Sequence, residues 1–389
     1  MAAGSKRMSM KSSMDRRDIL LAMGGCAALS VVPPLFAAEP PRDGKPWALI
    51  EVGSSGVKPS IVRIKRGLEP DLEVMKAFEP TEANAIDPGN APLVAEAVAK
   101  AITQIKATGL AFEAIKLVGS SGVASKADVR DAVAKAVAER TGLVMNFISV
   151  QKETEYTFDG VVNKVRLSHR RPQVTMIDIG SGNTKGCYVS TAPDASEQFH
   201  HFSMDFGTKS FARKVSSAQG EDESFTAAAN RLADADLRAE IRKMVISAGA
   251  IMAQRNRVYL NGGLPWVLAT TQAPLNTDRY VPLKPADIDR FCTLAQTDQA
   301  NLFAVDTSAI PAGAHKDLIA GDLGRMASGK VFTPEELKAG AALLRVLSEE
   351  LVFARKTLFF TRPGRLAWIM GLAFFDAADG KISKEVLPN

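Results

Sequence analysis

Two stretches decide how this chain reads. Residues 50–58 are Ile50-Glu51-Val52-Gly53-Ser54-Ser55-Gly56-Val57-Lys58, and residues 177–185 are Ile177-Asp178-Ile179-Gly180-Ser181-Gly182-Asn183-Thr184-Lys185. Each is an apolar strand that ends on an acid, turns through Gly-Ser and a small residue, and starts back. Small residues in such a hairpin let backbone N–H groups point at an anion, and Ser or Thr hydroxyls add donors. An acid at the strand end can hold a magnesium ion, directly or through water. Either segment alone reads as an ordinary glycine-rich hairpin. Two of them, each opening a β-rich half of the chain, point to phosphate binding.

Working outward, both halves alternate strand and helix signals. In the first, strands are expected at Trp47 to Val52, Ser60 to Lys65, Ala114 to Gly119 and Met145 to Val150. Asn90 to Lys106 is helical, with Val94, Val98, Ala101 and Ile105 on one face. Ser125 to Thr141 is a second helix, with Ser125 able to cap it and Gly142 to end it. In the second half, strands are expected at Gln173 to Ile179, Lys185 to Thr191, Phe202 to Phe206, Arg257 to Asn261 and Ala367 to Met370. Helix covers about Phe225 to Gln254, and Thr333-Pro334-Glu335-Glu336 opens a strong helix with a capping box. The boundary falls between Asn163 and Pro172.

The chain has 389 residues, 46% hydrophobic and 23% charged, which allows a sizeable core and excludes wholesale disorder. Aromatics are 6%, too few for a stacking platform for single-stranded nucleic acid. Three of the five net positive charges fall within residues 1–38, so the basic balance does not argue for a nucleic-acid partner. That segment reads as an export signal: a basic stretch ending in Arg16-Arg17, an apolar run from Ile19 to Phe36, then Ala37-Ala38 before Glu39. Asp15-Arg16-Arg17-Asp18-Ile19-Leu20 resembles a twin-arginine signal. Gly24-Gly25 and Pro33-Pro34 interrupt what would otherwise be a membrane anchor. The expectation is a periplasmic or secreted protein that meets the membrane only during export. Three cysteines exclude a disulfide scaffold and a four-thiolate zinc site, and leave open whether Cys187 and Cys292 pair.

The hairpin pair resembles phosphate loops 1 and 2 of the actin, sugar kinase and Hsp70 superfamily. Within it, the chain is similar to the exopolyphosphatase and guanosine pentaphosphate phosphohydrolase (Ppx/GppA) family. There the loops read Asp-x-Gly-Ser-Asn-Ser and Asp-Ile-Gly-Gly-Gly-Ser-Thr-Glu. Between them, Val118-Gly119-Ser120-Ser121 and Ile148-Ser149-Val150-Gln151-Lys152-Glu153-Thr154-Glu155 follow in family order, then Phe158 and Gly160-Val161. Asn261-Gly262-Gly263-Leu264 resembles a later glycine turn.

The resemblance implies an α/β fold of two ribonuclease-H-like (actin-like) halves around a cleft, with a helical C-terminal part. It divides the chain into residues 1–38, 39–168 and 169–389. It implies a magnesium-dependent phosphoanhydride hydrolase acting on polyphosphate or a nucleotide, with homodimerisation allowed. Glu153 falls on the catalytic glutamate, with Glu155 as the fallback. Phosphate would lie on Gly53, Ser54, Ser55, Gly56, Gly180, Ser181, Gly182, Asn183, Thr184, Lys185, Gly262 and Gly263. Asp178 and Glu51 would hold Mg2+.

Three departures stand out. Glu51 replaces an Asp, Lys185 stands where the second loop ends in Glu, and an arginine after Ser120-Ser121 is missing, Lys126 being the nearest cation. They favour an alternative in which the scaffold binds polyphosphate or nucleotide without cleaving it. Gly53-Ser54-Ser55-Gly56 also looks like the first motif of secreted apyrases. On this reading Gly180 and Gly182 admit phosphate against the backbone, and the Lys185 ammonium reaches it. His200-His201 is no metal pair, since neighbours on a strand face opposite ways. No Gly-x-Ser-x-Gly elbow supports a serine hydrolase. Arg362-Pro363-Gly364-Arg365 reads as a solvated turn, and Phe353, Phe359 and Phe360 as core.

Overall fold

The computed structural model describes residues 46–53, 56–65, 71–78, 80–81, 83–110, 115–162, 168–191, 197–362, 367–369 and 371–372. Residues 1–38, expected from the sequence to be an export signal, Ser54 and Ser55, and Pro363 to Arg365 lie outside the described residues. No helix among the described residues is long and apolar enough to cross a membrane.

The first half is a five-stranded sheet of β1 (Trp47–Gly53), β2 (Gly56–Lys65), β3 (Asp71–Ala77), β4 (Ile115–Gly119) and β5 (Asn146–Phe147), in the order β3-β2-β1-β4-β5. The second is a six-stranded sheet of β6 (Val174–Ile179), β7 (Thr184–Thr191), β8 (Glu197–Met204), β9 (Arg257–Gly262), β10 (Tyr280–Leu283) and β11 (Thr357–Thr361), in the order β10-β11-β9-β6-β7-β8. Read from β8, the second sheet repeats the first: two antiparallel hairpin partners, the central strand, then a parallel neighbour. The parallel joins are β1 with β4 and β4 with β5 in the first sheet, and β6 with β9 and β9 with β11 in the second. Two ribonuclease-H-like halves are therefore present, with β10 as an added edge strand.

The helices of the first half are α1 (Ala91–Lys106), α2 (Ser121–Ala124), α3 (Ala127–Thr141) and α4 (Val150–Val161). The apolar stripes of α1 and α3 bury against Ala48, Ile50 and Val52 on one face of the first sheet. Gly142 ends α3 in the left-handed conformation at φ 71°, as a glycine can without a Cβ penalty. Lys126, not Ser125, sits at its N-cap; the Ser125 hydroxyl donates to the Gly122 carbonyl instead. The helices of the second half are α5 (Thr208–Ala218), α6 (Phe225–Leu232), α7 (Arg238–Ala248), α8 (Ala250–Gln254), α9 (Gly263–Gln272), α10 (Pro285–Thr297), α11 (Gln299–Phe303), α12 (Ala314–Ala327) and α13 (Pro334–Glu350). A π-helical turn, Ala233–Leu237, joins α6 to α7. The capping box at Thr333 and Glu336 opens α13 as expected.

The strand expected at Met145 to Val150 is only Asn146–Phe147. From Val150 the chain is helix, because the Ser149 hydroxyl caps it by accepting from Lys152 N–H. The strand expected at Ala367 to Met370 is helical at residues 367–369 and 371–372. These residues return to the first half, where Trp368 and Ile369 pack on Trp47, Leu49 and Val62. On the second sheet, Phe158 and Val161 of α4 pack with Ala367 against Met176, Cys187 and Tyr259. The α4 helix and the 367–372 turn thus fill the space between the two sheets. Two glycines make this crossing close: a Cβ on Gly160 would lie 2.0 Å from the Ala367 carbonyl oxygen, and one on Gly371 would lie 1.9 Å from that of Tyr156. The larger core lies on the outer face of the second sheet, with Phe353 and Phe360 inside it and Phe359 stacked on Tyr259.

Candidate active site

The two hairpins present the same cross-strand pair. Glu51 of β1 stands opposite Lys58 of β2, and Asp178 of β6 stands opposite Lys185 of β7. Side chains directly opposite on an antiparallel pair meet on one face. Lys58 Nζ accordingly lies 2.9 Å from Glu51 Oε1, and Lys185 Nζ lies 3.6 Å from Asp178 Oδ2. Lys185 reaches further, to 2.6 Å from Glu153 Oε1. Glu153 comes from the first turn of α4, where the helix N-terminus favours a negative charge. Its other oxygen, Oε2, accepts the backbone N–H of Ser121 at 2.7 Å. Glu51 Oε2 accepts the indole N–H of Trp368 at 3.3 Å. Glu51, Glu153 and Lys185 are 6%, 5% and 5% exposed, whereas the Asp178 and Lys58 side chains keep 17% and 31%, so the cluster is closed to water at its Glu153–Lys185 centre and open toward Asp178 and Lys58.

That closure sets the charges. Burial works against the Glu153 anion, but the Lys185 ammonium and the Ser121 hydrogen bonds outweigh it and hold the carboxyl below its usual range. Burial raises the Asp178 carboxyl above its ordinary value, and the nearby Glu153 and Glu51 charges add to that; Lys185 offsets only part. Burial also opposes the Lys185 charge, yet Glu153 and Asp178 more than compensate and raise its pKa. Lys185 is therefore a fixed cation shared by one acid from each half of the molecule.

The second loop is shaped by α5. Thr208 N–H donates to the Gly180 carbonyl, Lys209 and Ser210 N–H donate to that of Ser181, and the Ser210 hydroxyl donates to that of Gly182. In a trans peptide the N–H points opposite to the C=O. With these carbonyls turned to α5 and no cis bond present, the N–H groups of Ser181, Gly182 and Asn183 face away from it. Successive amides turned to one side are the groups from which an anion nest is built. Gly207 must lack a Cβ for this docking, since one would lie 2.4 Å from the Gly180 oxygen. A Cβ on Gly182 would meet nothing within 4 Å, and neither Gly180 nor Gly182 has positive φ. Gly182 is thus not required by the fold, whereas a Cβ on Gly180 would lie 3.0 Å from the Asn183 carbonyl oxygen, a tight contact. Gly262, by contrast, has φ 96° at the start of α9, and a Cβ there would lie 2.6 Å from Asp178 Oδ1. Gly263 faces the ring of Phe332 instead. Gly53 and Gly56 close the first hairpin, Gly56 at φ 116°, with Ser120 Oγ beside Gly53.

Two expectations change on this geometry. The Thr184 hydroxyl donates to the Phe206 carbonyl at 2.8 Å and is buried, so it braces the turn into α5 rather than the loop. The Lys185 ammonium points to Glu153 and Asp178, not to the loop, because the register places it opposite the strand-end acid.

The magnesium site at Asp178 and Glu51 does not fit the residues present. No cluster of three or more His, Cys, Asp or Glu side chains able to hold a metal occurs among the described residues. Each proposed ligand already faces a lysine. At an effective dielectric of about 20 and ~4 Å, three carboxylates would attract a divalent ion by about 25 kcal/mol, and two ammoniums reduce this to about 8 kcal/mol. Mg2+ gives up its water reluctantly and demands an octahedron of oxygens, so the smaller figure is a poor return for entry.

Glu155 lies outside the cluster, its carboxylate taken by Lys152 at 2.6 Å and His201 at 3.2 Å. Residues two apart on a helix do not share a face. His200 stacks on Tyr188 from the other side of β8. Lys126 is exposed at the start of α3. Cys187 and Cys292 are both free and buried. Lys58, Trp368 and the Ser121 N–H join the cluster without having been expected there. Lys58 had a signal: in both hairpins a lysine follows the strand-end acid by seven residues. Trp368 had none.

Comparison with known proteins accords with this architecture. Residues 85–258 match the model of the Ppx/GppA phosphatase family. No curated protein sequence matches. Among solved structures, the Aquifex aeolicus Ppx/GppA phosphatase, type II variant, is similar at 14% identity and TM-score 0.53, over 83% of this chain and 98% of that one. An exopolyphosphatase from Cytophaga hutchinsonii is similar at 12% identity and TM-score 0.55, over 86% and 98%. An exopolyphosphatase-like protein reaches TM-score 0.56 at 13% identity, over 85% and 98%. At these identities the structural likeness shows the fold. Residues 85–258 therefore match the Ppx/GppA phosphatase family, and the chain shares its two-sheet fold with the solved Ppx/GppA structures.

Proposed function

We propose that this protein takes a phosphoanhydride chain, inorganic polyphosphate or the phosphates of a nucleotide, between its two hairpin loops and hydrolyses it. The observation that carries the reading is the position of Glu153: a helix between the sheets delivers its carboxylate to where the strand-end acids of both hairpins converge. The N–H groups of the second loop would hold a terminal phosphate. Glu153 is anionic at neutral pH and would orient a water in line and accept its proton. Its lowered pKa makes it a weak base, so turnover is slow. That same ion pair favours a second reading, a polyphosphate- or nucleotide-binding protein that does not cleave. Phosphate release from polyphosphate, ATP, ADP and guanosine tetraphosphate, measured beside binding, separates the two. Release supports hydrolysis, binding without release supports the second reading, and neither refutes both.

We also carry the export reading of residues 1–38 as a proposal, with a periplasmic or secreted mature chain. N-terminal sequencing of the mature protein should begin close to Glu39; recovery of only the intact chain from the cytoplasm would refute it.

A further inference from the structure

The fold carries one charge device twice. Glu51 with Lys58 and Asp178 with Lys185 occupy matching places in the two hairpins, each acid on a central strand and each lysine directly opposite on the return strand. The lysines touch the acids at 2.9 Å and 3.6 Å. A lysine put by chance beside a carboxylate would not recur at the matching register of a sheet made from different sequence. Lys185 also joins the two halves, since its second partner, Glu153 at 2.6 Å, belongs to the α4 helix of the first. The cluster of three acids and two lysines carries one net negative charge, two of its three acid charges being cancelled from within.

We propose that Lys58 and Lys185 are built-in counter-cations that stand in place of a divalent metal, so that this site takes its phosphoanhydride ligand metal-free. The proposal rests on the phosphoanhydride reading above. Lys185 is buried and bridges two carboxylates, so it acts by cancelling their repulsion toward an incoming polyanion rather than by touching phosphate. Lys58, with its side chain 31% exposed, does the same at the edge of the first loop. A divalent ion at Asp178 would have to sit beside or displace the buried Lys185 ammonium, and weakening the pairing of a buried charge is costly. The ligand's own charge then meets the loop amides and two fixed cations.

The test has two arms. In the first, binding of long-chain sodium polyphosphate, and of ATP, to the folded protein is measured with MgCl2 and with EDTA. Affinity should agree within about threefold, because no metal bridges the contact. In the second, the thermal midpoint of the ligand-free protein is followed during MgCl2 and MnCl2 titrations. The native protein should show no saturable rise, whereas Lys185→Gln and Lys58→Gln should each gain one, removal of an ammonium strengthening Mn2+ binding on the order of 10-fold or more. Should Lys185→Gln not fold, Lys58→Gln, at the more exposed position, decides the second arm. Loss of polyphosphate binding in EDTA, or a saturable metal-linked rise in the native protein, overturns the proposal. Absence of binding by both polyphosphate and ATP in both buffers instead defeats the phosphoanhydride reading, and the metal titration alone then judges the lysines.

Discussion

Replacing Lys185 with methionine keeps the length of the side chain and removes the charge that Glu153 and Asp178 share. Breaking a buried pair by deleting one partner costs about 3–5 kcal/mol, because the remaining charge is stranded. For a chain of this size that corresponds to a fall in thermal midpoint of roughly 4–7 °C near neutral pH. The pH dependence is more diagnostic than the size. In the native protein the Glu153 carboxyl is held below its unfolded value. Its contribution is fully present above the unfolded pKa of about 4.3 and is lost as pH falls through the lower folded value. Without Lys185, burial is opposed only by Ser121, and the folded pKa moves above the unfolded one. The folded variant then binds protons more readily, and its stability rises as pH falls from 7 toward about 4.5. Lys185 itself has a raised pKa, so its contribution is present below about 10.4 and disappears as pH rises through its folded value. Urea denaturation of both proteins at pH 5, 6, 7 and 8, followed by circular dichroism, should show a deficit that narrows steadily in acid. Parallel stability curves, or a deficit under ~1 kcal/mol at pH 7, would refute the buried bridging role.

Glu153→Gln should lower phosphate release by about 10²–10⁴-fold while polyphosphate affinity stays within a few-fold, checked by single-turnover release and calorimetry. Gly207→Ala should cost about 1–3 kcal/mol in chemical denaturation, since its Cβ would lie 2.4 Å from the Gly180 oxygen. Gly182→Ala, with open space at that position, should shift stability by no more than ~0.5 kcal/mol, so that any lost polyphosphate affinity reports on the loop amides directly. Arg171→Met removes a guanidinium that is 1% exposed and paired with Asp159 and Glu197, each at 2.6 Å. It should destabilise by about 3–5 kcal/mol without changing the metal response of the site, which a denaturation midpoint and a MnCl2 titration together would check.

Much of the frame was legible because its signals are local. The strand-acid-glycine order of both hairpins, the Val94, Val98, Ala101 and Ile105 stripe, the Gly142 stop and the Thr333 capping box each depend on a few neighbouring residues, and each lies where its pattern placed it. What was illegible depends on distant partners. Val150–Val161 looks polar because its buried residues face two sheets rather than one, which blurs a single apolar stripe. Residues 367–369 look strand-like because they are buried on both sides, as a central strand would be. The direction of Lys185 could be found only by setting the register of the second hairpin. Lys58 was written in the same register and is visible once the first pair is known.

The contact between Trp368 and Glu51 spans 317 positions of the chain. A ribosome therefore delivers the first hairpin long before the indole that completes it. Until residues 367–372 arrive, α4 has no partner across Gly160, Trp47 and Leu49 lack their cover, and the acid of the first hairpin has only its lysine. The cluster is among the last parts of the molecule that synthesis can finish. The acid, the lysine and the indole of the first hairpin stand together only once the whole polypeptide has been released and has closed on itself.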